Sequence, residues 1–276
     1  MVLHYVEAIR LWVTGIRVGL SSIWKEPILG LKRLVLPMSY WRTAEFAYVL
    51  RRLTCPSGAR VLDLGSPKDL AIFLARLREY QVVATDILPE AITLSQRYVL
   101  AQGLNGDGPG KVRSEVQDGR SLSYPDDFFD AAFSVSVLEH IPDRGDIDAI
   151  RELIRVVKPG GVIIVTTPYD LEYRETFVNH NVYEREQLDK RPLFYERHYD
   201  DAVLKERLLG ENWVQVVDLE LWGEGRVRME KVMNQIGSAR VLLSPFEPFL
   251  SVMFLRRITL CNTCHPMAVF FTLQKQ

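Results

Sequence analysis

The fold of this chain is decided by the stretch Val61-Leu-Asp-Leu-Gly-Ser-Pro-Lys-Asp69. Its first residues, Val61, Leu62 and Leu64, favour a β-strand, and Gly65 ends that strand in a tight turn. From Leu70 onward the apolar residues recur at helical spacing, which predicts a helix directly after the turn. Since a strand that passes through a glycine turn into a helix frames many ligand sites, we expect ligand chemistry to begin here.

Strands and helices keep alternating after this first unit. The predicted strands cover residues 61–64, 82–85, 111–117, 129–135 and 162–166, and the predicted helices cover residues 68–80, 89–101 and 146–157. This alternation predicts an α/β fold, with a parallel sheet covered by helices on both faces. Ligands bind beyond the carboxyl ends of such strands, where the segments around Gly65, Asp86, Asp118 and Ser134 should meet.

The composition is that of an ordinary globular protein, but its charge is unevenly distributed. The formal net charge is −1, yet residues 1–60 hold nine Lys/Arg against three Asp/Glu, and residues 223–276 hold seven against three. The central segment is therefore acidic and both ends are basic and apolar. This asymmetry favours an anionic membrane surface or a nucleic acid as a partner, and we expect the membrane surface and no nucleic acid.

The cysteine count and the N-terminal residues indicate the compartment. Three cysteines are too few for a disulfide framework, which favours a reducing cytoplasm. Glu7, Arg10 and Arg17 interrupt the apolar N-terminus, and no uninterrupted apolar run reaches the length of about 18 residues that a membrane-spanning helix needs. We expect a cytoplasmic protein that is either soluble or peripheral to a membrane.

Residues 1–57 are predicted to form a helical extension before the core domain. Apolar residues at positions 2, 6, 9, 13, 16, 20 and 23 make one stripe along a helix. Either the stripe packs on the core, or it lies in a membrane interface with Trp12 and Trp24 as anchors and nearby Arg and Lys on anionic headgroups. Residues 58–276 are expected to form the core domain, with insertions at about 169–199 and 223–262.

Three further segments narrow the family. They are Gln117-Asp118-Gly119, the run from Tyr124 to Pro142 that includes Val137-Leu-Glu-His140, and Arg151-Glu-Leu-Ile-Arg-Val-Val-Lys-Pro-Gly-Gly161. Together with Asp63 and Asp86, they strongly resemble the class I S-adenosylmethionine-dependent methyltransferases, especially the branch that modifies small molecules, quinones or lipids. The resemblance implies a Rossmann-like, mostly parallel seven-stranded sheet with helices on both faces. It also implies S-adenosylmethionine as cofactor and S-adenosylhomocysteine as product.

The resemblance also implies roles for individual residues. Asp63 and Gly65 are expected near the methionine part of the cofactor, and Ser134 beneath the transferable methyl. The expected ligands of the ribose and the adenine are Asp86 with Ile87 and Asp118 with Gly119. An acidic rim suits the cofactor because its sulfonium and ammonium groups are cationic.

The chain departs from the family after the first glycine. Pro67 and Asp69 stand where two further glycines are usual. We expect the turn to be rebuilt, with Ser66 as the helix N-cap, Pro67 at the first helical position and Asp69 at the positive helix end. Lys68 would then face the cofactor carboxylate, so Ser66 and Lys68 join the predicted cofactor site.

His140 is the predicted general base. It follows the strand that should end beside the methyl, and imidazole transfers protons readily near neutral pH. An equally weighted alternative is a structural histidine that caps the loop before Pro142. Tyr169, His180 and His198, in the first insertion, are either substrate-binding residues or lid packing.

These patterns predict O-methylation of a small or lipid-like acceptor. The alternatives are a non-catalytic nucleotide-binding or scaffold protein and a dinucleotide-dependent oxidoreductase. The segment Cys261-Asn-Thr-Cys264-His265 is interpreted as a turn, and no metal site is expected.

Overall fold

A computed structural model describes residues 2–179, 192–225, 227–259 and 266–276. Its α-helices are α1 (Val2–Ser22), α2 (Pro27–Val35), α3 (Tyr40–Arg52), α4 (Asp69–Arg78), α5 (Pro89–Ala101), α6 (Gly145–Val156), α7 (Asp201–Leu204), α8 (Met229–Gln235) and α9 (Glu247–Phe254). Its strands are β1 (Arg60–Leu64), β2 (Gln81–Asp86), β3 (Val112–Val116), β4 (Phe129–Val135), β5 (Val157–Pro168), β6 (Arg174–Val178), β7 (Leu193–His198), β8 (Val214–Glu224), β9 (Leu255–Ile258) and β10 (Ala268–Lys275).

The main sheet has the strand order β3-β2-β1-β4-β5-β10-β8-β9. Strands β3, β2, β1, β4 and β5 run parallel, and β10 lies antiparallel between β5 and β8. The predicted α/β class with a mostly parallel sheet is confirmed, but the sheet has eight strands instead of seven. The extra edge strand, β9, lies in the second expected insertion and pairs with the end of β8. Its four residues include two arginines, so the sequence gives little β signal there.

Residues Lys158–Gly161, between the predicted helix 146–157 and the predicted strand 162–166, form an irregularity within β5. Phe129 pairs with Val157 but Ala131 pairs with Val162, so β5 accommodates extra residues against β4. Gly160 lies there with a φ of +79°, which suits glycine. Beyond this irregularity β4 and β5 stay in register to Val135 and Thr166, at the edge where the site lies.

Helix α1 packs on the rest of the protein mainly through the side opposite the predicted apolar stripe. Val6, Ile9 and Leu20 of the predicted stripe are exposed, whereas Leu11 and Val18 on the opposite side are buried. Val13, Ile16 and Ile23 of the stripe are partly buried, so the stripe is not the main packing face of α1 but does not lie wholly in solvent. Gly15 allows the opposite side of the helix to pack closely, because a Cβ on this residue would lie 2.2 Å from the carbonyl oxygen of Pro37. Within the described chain, no helix combines the length and apolar character needed to cross a bilayer.

The first expected insertion contains an antiparallel pair, β6 with β7. Arg197 in β7 is fully buried and donates hydrogen bonds to the carbonyl oxygens of Ile141 at 2.6 Å and Asp143 at 3.1 Å. The hairpin is thereby tied to the loop that follows β4, which carries His140.

Candidate active site

A cavity of about 590 Å³ opens at the carboxyl ends of β1, β2 and β3. It brings together many of the predicted cofactor residues, namely Gly65, Ser66, Lys68, Asp86, Ile87, Asp118 and Gly119. They meet because parallel strands present their carboxyl ends on one edge of the sheet. The cavity volume is within the range of small-molecule sites.

Two glycines shape this first cavity. Gly65 has a φ of +70°, and a Cβ there would lie 2.8 Å from Val137 Cγ1. A Cβ on Gly119 would lie 3.0 Å from Leu64 Cδ1. Gly65 therefore needs glycine for its backbone conformation and for space, whereas a side chain at position 119 would crowd the Leu64 side chain.

Asp63 and Ser134, also predicted in the cofactor site, are not among the residues that line the cavity. Both are fully buried behind the turn after β1. Asp63 Oδ1 accepts the backbone N–H of Ser66 at 3.1 Å, and Ser134 Oγ donates to the carbonyl oxygen of Leu64 at 3.1 Å. Burial raises the pKa of the Asp63 carboxyl to about 6, and its Oδ2 has no hydrogen-bond partner among the described residues.

Residues 66–69, where glycines are replaced, do not form the N-cap and first helical turn that the sequence predicts. Ser66 does not cap the helix, because its Oγ accepts the backbone N–H of Val135 at 3.0 Å. Helix α4 begins only at Asp69, whose carboxylate pairs with Arg33 of α2. Lys68 Nζ lies 2.6 Å from Asp86 Oδ2, so its cation contacts the predicted ribose ligand. The turn is held by these side-chain contacts in place of the missing glycines.

Asp118 is also engaged by a neighbouring cation. Arg120 Nη2 lies 2.6 Å from Asp118 Oδ2, and its Nε donates to both carboxylate oxygens at 3.0 and 3.1 Å. These hydrogen bonds hold the pKa of the Asp118 carboxyl below its ordinary value. The predicted adenine ligand therefore stays ionised at neutral pH.

A second cavity, of about 650 Å³, lies beyond the ends of β4 and β5 and under the β6–β7 hairpin. Tyr169 and His198, predicted as substrate-binding residues, line it. His198 Nδ1 accepts from Arg174 Nη2 at 3.1 Å, so its Nε2 carries the proton and donates to Glu196 Oε1 at 3.1 Å. His180, the third predicted residue, lies outside the described residues, as does the segment 261–265.

The two cavities share a wall formed by Arg42, Ser136, His140 and Tyr195. The His140 ring is oriented by the backbone, since its Nδ1 lies 2.8 Å from the carbonyl oxygen of Tyr195. A carbonyl oxygen accepts only, which puts the ring proton on Nδ1 and the lone pair on Nε2. Nε2 lies 3.8 Å from Glu139 Oε1.

Two buried acids beside His140 were not predicted as site residues. Glu45, on α3, accepts from Ser136 Oγ at 2.7 Å and from Thr166 Oγ1 at 2.9 Å. Burial, reinforced by the charge of Glu45, raises the pKa of Glu139 to about 8. The sequence does offer a signal for each acid. Glu45 is an acid within the apolar run from Ala44 to Leu50, and Glu139 directly precedes the predicted base His140.

Comparisons with known proteins match the central part of the chain to methyltransferases. The family described as "Methyltransferase domain" matches residues 62–165. A "Ubiquinone biosynthesis O-methyltransferase" of Xanthomonas axonopodis pv. citri (strain 306) is 34% identical over 132 residues, which cover 48% of this chain and 52% of the relative. An "Ajmaline N-methyltransferase" of Rauvolfia serpentina is 33% identical over 94 residues, which cover 34% and 30%. The chain thus spans about half or less of the length of these curated relatives.

The fold likeness extends further along the chain. The crystal structure of a SAM-dependent methyltransferase from Methanosarcina mazei covers 82% of this chain and 96% of its own, with a TM-score of 0.54 and 18% identity. At that identity the likeness concerns the fold alone. Residues 62–165 thus match a methyltransferase domain, and the chain has the fold of a SAM-dependent methyltransferase.

Proposed function

We propose that this protein transfers a methyl group from S-adenosylmethionine to an oxygen of a small or lipid-like acceptor. The observation that carries the proposal is the pair of cavities that meet at His140. One has a glycine turn and the carboxylates Asp86 and Asp118, as a nucleoside site does, and the other is large enough for a separate acceptor. Transfer between two bound molecules needs such a meeting point, because holding both reactants in place removes much of the entropic barrier.

The first cavity fits the cofactor by the chemistry of its walls. Asp86 and Asp118 would accept the ribose hydroxyls and the adenine amine, and Gly65 and Gly119 leave room for close approach. When bound, S-adenosylmethionine supplies an electrophilic methyl group on a sulfonium.

His140 is proposed as the general base. The Tyr195 carbonyl holds the ring in the tautomer whose Nε2 can accept a proton. An acceptor hydroxyl in the second cavity would give its proton to Nε2 as its oxygen forms the new bond to carbon. The oxygen thereby becomes a better nucleophile at the moment of transfer.

The acceptor is proposed to be an amphiphilic phenol or hydroquinone. The second cavity combines polar groups with Trp41, Tyr195, Met233 and Met267 along its walls. The relative from Xanthomonas is named for O-methylation in ubiquinone biosynthesis, which is chemistry of this kind. The composition argument from three cysteines supports a cytoplasmic location for this activity.

Calorimetry tests the cofactor half of the proposal. We expect S-adenosylmethionine and S-adenosylhomocysteine to bind to the full chain and NADH not to bind. Binding of NADH alone would favour an oxidoreductase. Binding of the first two without turnover on any hydroquinone of a test panel would favour a scaffold.

His140→Ala tests the base. We expect unchanged cofactor affinity and a turnover reduced about 10²- to 10⁴-fold, the usual contribution of a general base. The matched control is His198→Ala, the other described histidine of the second cavity, whose ring pairs with Glu196 and is expected to affect KM more than kcat. Unchanged turnover in His140→Ala would remove this residue as the base.

A further inference from the structure

We propose that the outward side of α1 and α2 docks on an anionic lipid bilayer, and that a lipid-soluble acceptor enters the second cavity from that bilayer. The docking surface, called the apolar face below, is formed by exposed apolar side chains of α1, of α2, of the turn between them and of the segment 237–246. They are Ile9, Leu20, Trp24, Ile28, Leu31, Leu242 and Phe246.

The apolar face is far more exposed than a packed helix would allow. Trp24 is 92% exposed and Ile28 is 83% exposed. More than half of the exposed large apolar side chains in the described chain lie in residues 2–35 and 227–253. Single exposed apolar residues are common on proteins, but a concentrated set of them marks an interaction surface.

The two parts of the face are adjacent. Trp12 of α1 donates through its indole N–H to the carbonyl oxygen of Pro245 at 2.9 Å. Its ring also packs edge-on against Phe249, with 5.7 Å between the centroids. Phe246 therefore lies beside α1, and the face continues from the helices into the second expected insertion.

The charges around the face favour an anionic bilayer as its occupant. Arg17, Lys25 and Lys32 are exposed on α1, on α2 and between them. Of the two acids in residues 2–36, Glu7 is buried and Glu26 is paired with Arg97 at 3.0 Å. An apolar face bordered by Trp and by unopposed Lys and Arg is the pattern of a helix in a membrane interface.

The second cavity is built from elements that border the face. Trp41 follows α2 after a short loop and lines the cavity, as does Met233 of α8. Val232, next to Met233 on the same helix, is exposed. An amphiphile in the bilayer would thus reach the cavity along these elements, and this half of the inference rests on the proposed methyl transfer.

Vesicle partitioning of the full chain tests the docking. We expect binding to vesicles of equal parts phosphatidylglycerol and phosphatidylcholine, and little binding to pure phosphatidylcholine. The pair Trp24→Ser and Ile28→Ser should weaken partitioning at least about ten-fold, because two apolar side chains that the bilayer would cover are lost. The pair Lys25→Gln and Lys32→Gln should weaken it by about 25-fold, at about five-fold for each lysine.

Matched controls lie elsewhere on the surface. Trp213→Ser removes a tryptophan that is 70% exposed directly before β8, and Lys205→Gln removes an exposed lysine after α7. Both should leave partitioning unchanged. The docking is overturned if the full chain ignores anionic vesicles, or if face and control variants behave alike. It is also overturned if sedimentation shows a dimer that Trp24→Ser dissociates, since a second copy would then cover the face.

Delivery of the acceptor has its own readout. Turnover of a long-chain hydroquinone in anionic vesicles should fall in the face variants in proportion to their lost partitioning, whereas turnover of a water-soluble hydroquinone should not change. Equal loss on both would overturn delivery from the bilayer. Absence of S-adenosylmethionine binding by calorimetry would instead overturn the proposed methyl transfer and leave the docking result standing.

Discussion

Glu139 and Glu45 are two acids buried side by side next to the proposed base. Glu139 is 1% exposed and Glu45 is 4% exposed. Glu45 accepts hydrogen bonds from Arg42, Ser136 and Thr166. Glu139 accepts a long hydrogen bond from Thr167 Oγ1 at 3.4 Å. Burial raises the pKa of Glu139 to about 8, so this carboxyl keeps its proton at neutral pH.

The protonation of Glu139 makes stability depend on pH. Its pKa is about 8 when folded against an ordinary value of 4.5, so between these values the native state binds the proton that the unfolded chain has lost. The free energy of unfolding must then fall as pH rises from about 4.5 to about 8, by at most roughly 1.4 kcal/mol per pH unit. Glu139→Gln should lack this fall, as urea unfolding at several pH values would measure.

The control for this comparison is Glu90→Gln on the exposed side of α5, which should keep the wild-type dependence. Parallel pH curves for Glu139→Gln and the wild type would contradict a buried, protonated Glu139.

At the scale of elements, the β6–β7 hairpin controls the loop that presents His140. Arg197 of β7 reaches across to the carbonyl oxygens of Ile141 and Asp143, and its Nη1 lies 3.4 Å from Asp146 Oδ2. Arg197 and Asp146 are both fully buried, and Asp146 also accepts hydrogen bonds from Arg207 at 2.6 and 2.8 Å. Arg197 is therefore a positioning residue for the loop.

Arg197→Met is expected to lower the free energy of unfolding by about 3 kcal/mol, since it removes two hydrogen bonds from a charged donor to the carbonyl oxygens of Ile141 and Asp143. Arg174→Met on β6 is the matched control, because Arg174 is half exposed and pairs with the exposed Asp170. That change should cost less than about 1 kcal/mol. Urea unfolding of both variants measures the difference, and equal costs would show that Arg197 does not hold the loop.

At the scale of the molecule, the sequence predicts the sheet well and the site partly. Strong alternation of strands and helices locates β1 to β5, and because parallel strands end together, Gly65, Asp86 and Asp118 reach one cavity. Side-chain partners escape this reasoning. Lys68 contacts Asp86, and Glu45 reaches Ser136 from a helix far earlier in the chain. Such contacts depend on packing between distant segments, which no local pattern encodes.

Periodicity alone also cannot say which face of α1 packs inward. The spacing identifies an apolar stripe. The helix instead packs through the side that carries Gly15, where the absence of a side chain lets the backbone of Pro37 approach. The helix therefore contributes to the core mainly through one side and leaves part of its apolar stripe exposed on the other. These two roles can be separated experimentally.

Deletion of residues 1–36 should destabilise the whole protein instead of simply removing a tether. It removes the fully buried Leu11 and Val18 and the partner of Asp69 at the start of α4. Each buried side chain of this kind is worth about 1.5–3 kcal/mol, and 1 kcal/mol shifts Tm by roughly 2–4 °C in a chain of this size. We expect a Tm lowered by roughly 10 °C or more in scanning calorimetry. The pair Trp24→Ser and Ile28→Ser, which changes only exposed side chains, should stay within about 2 °C of the wild type. An unchanged Tm on deletion would mean that α1 and α2 are a detachable anchor and not part of the core.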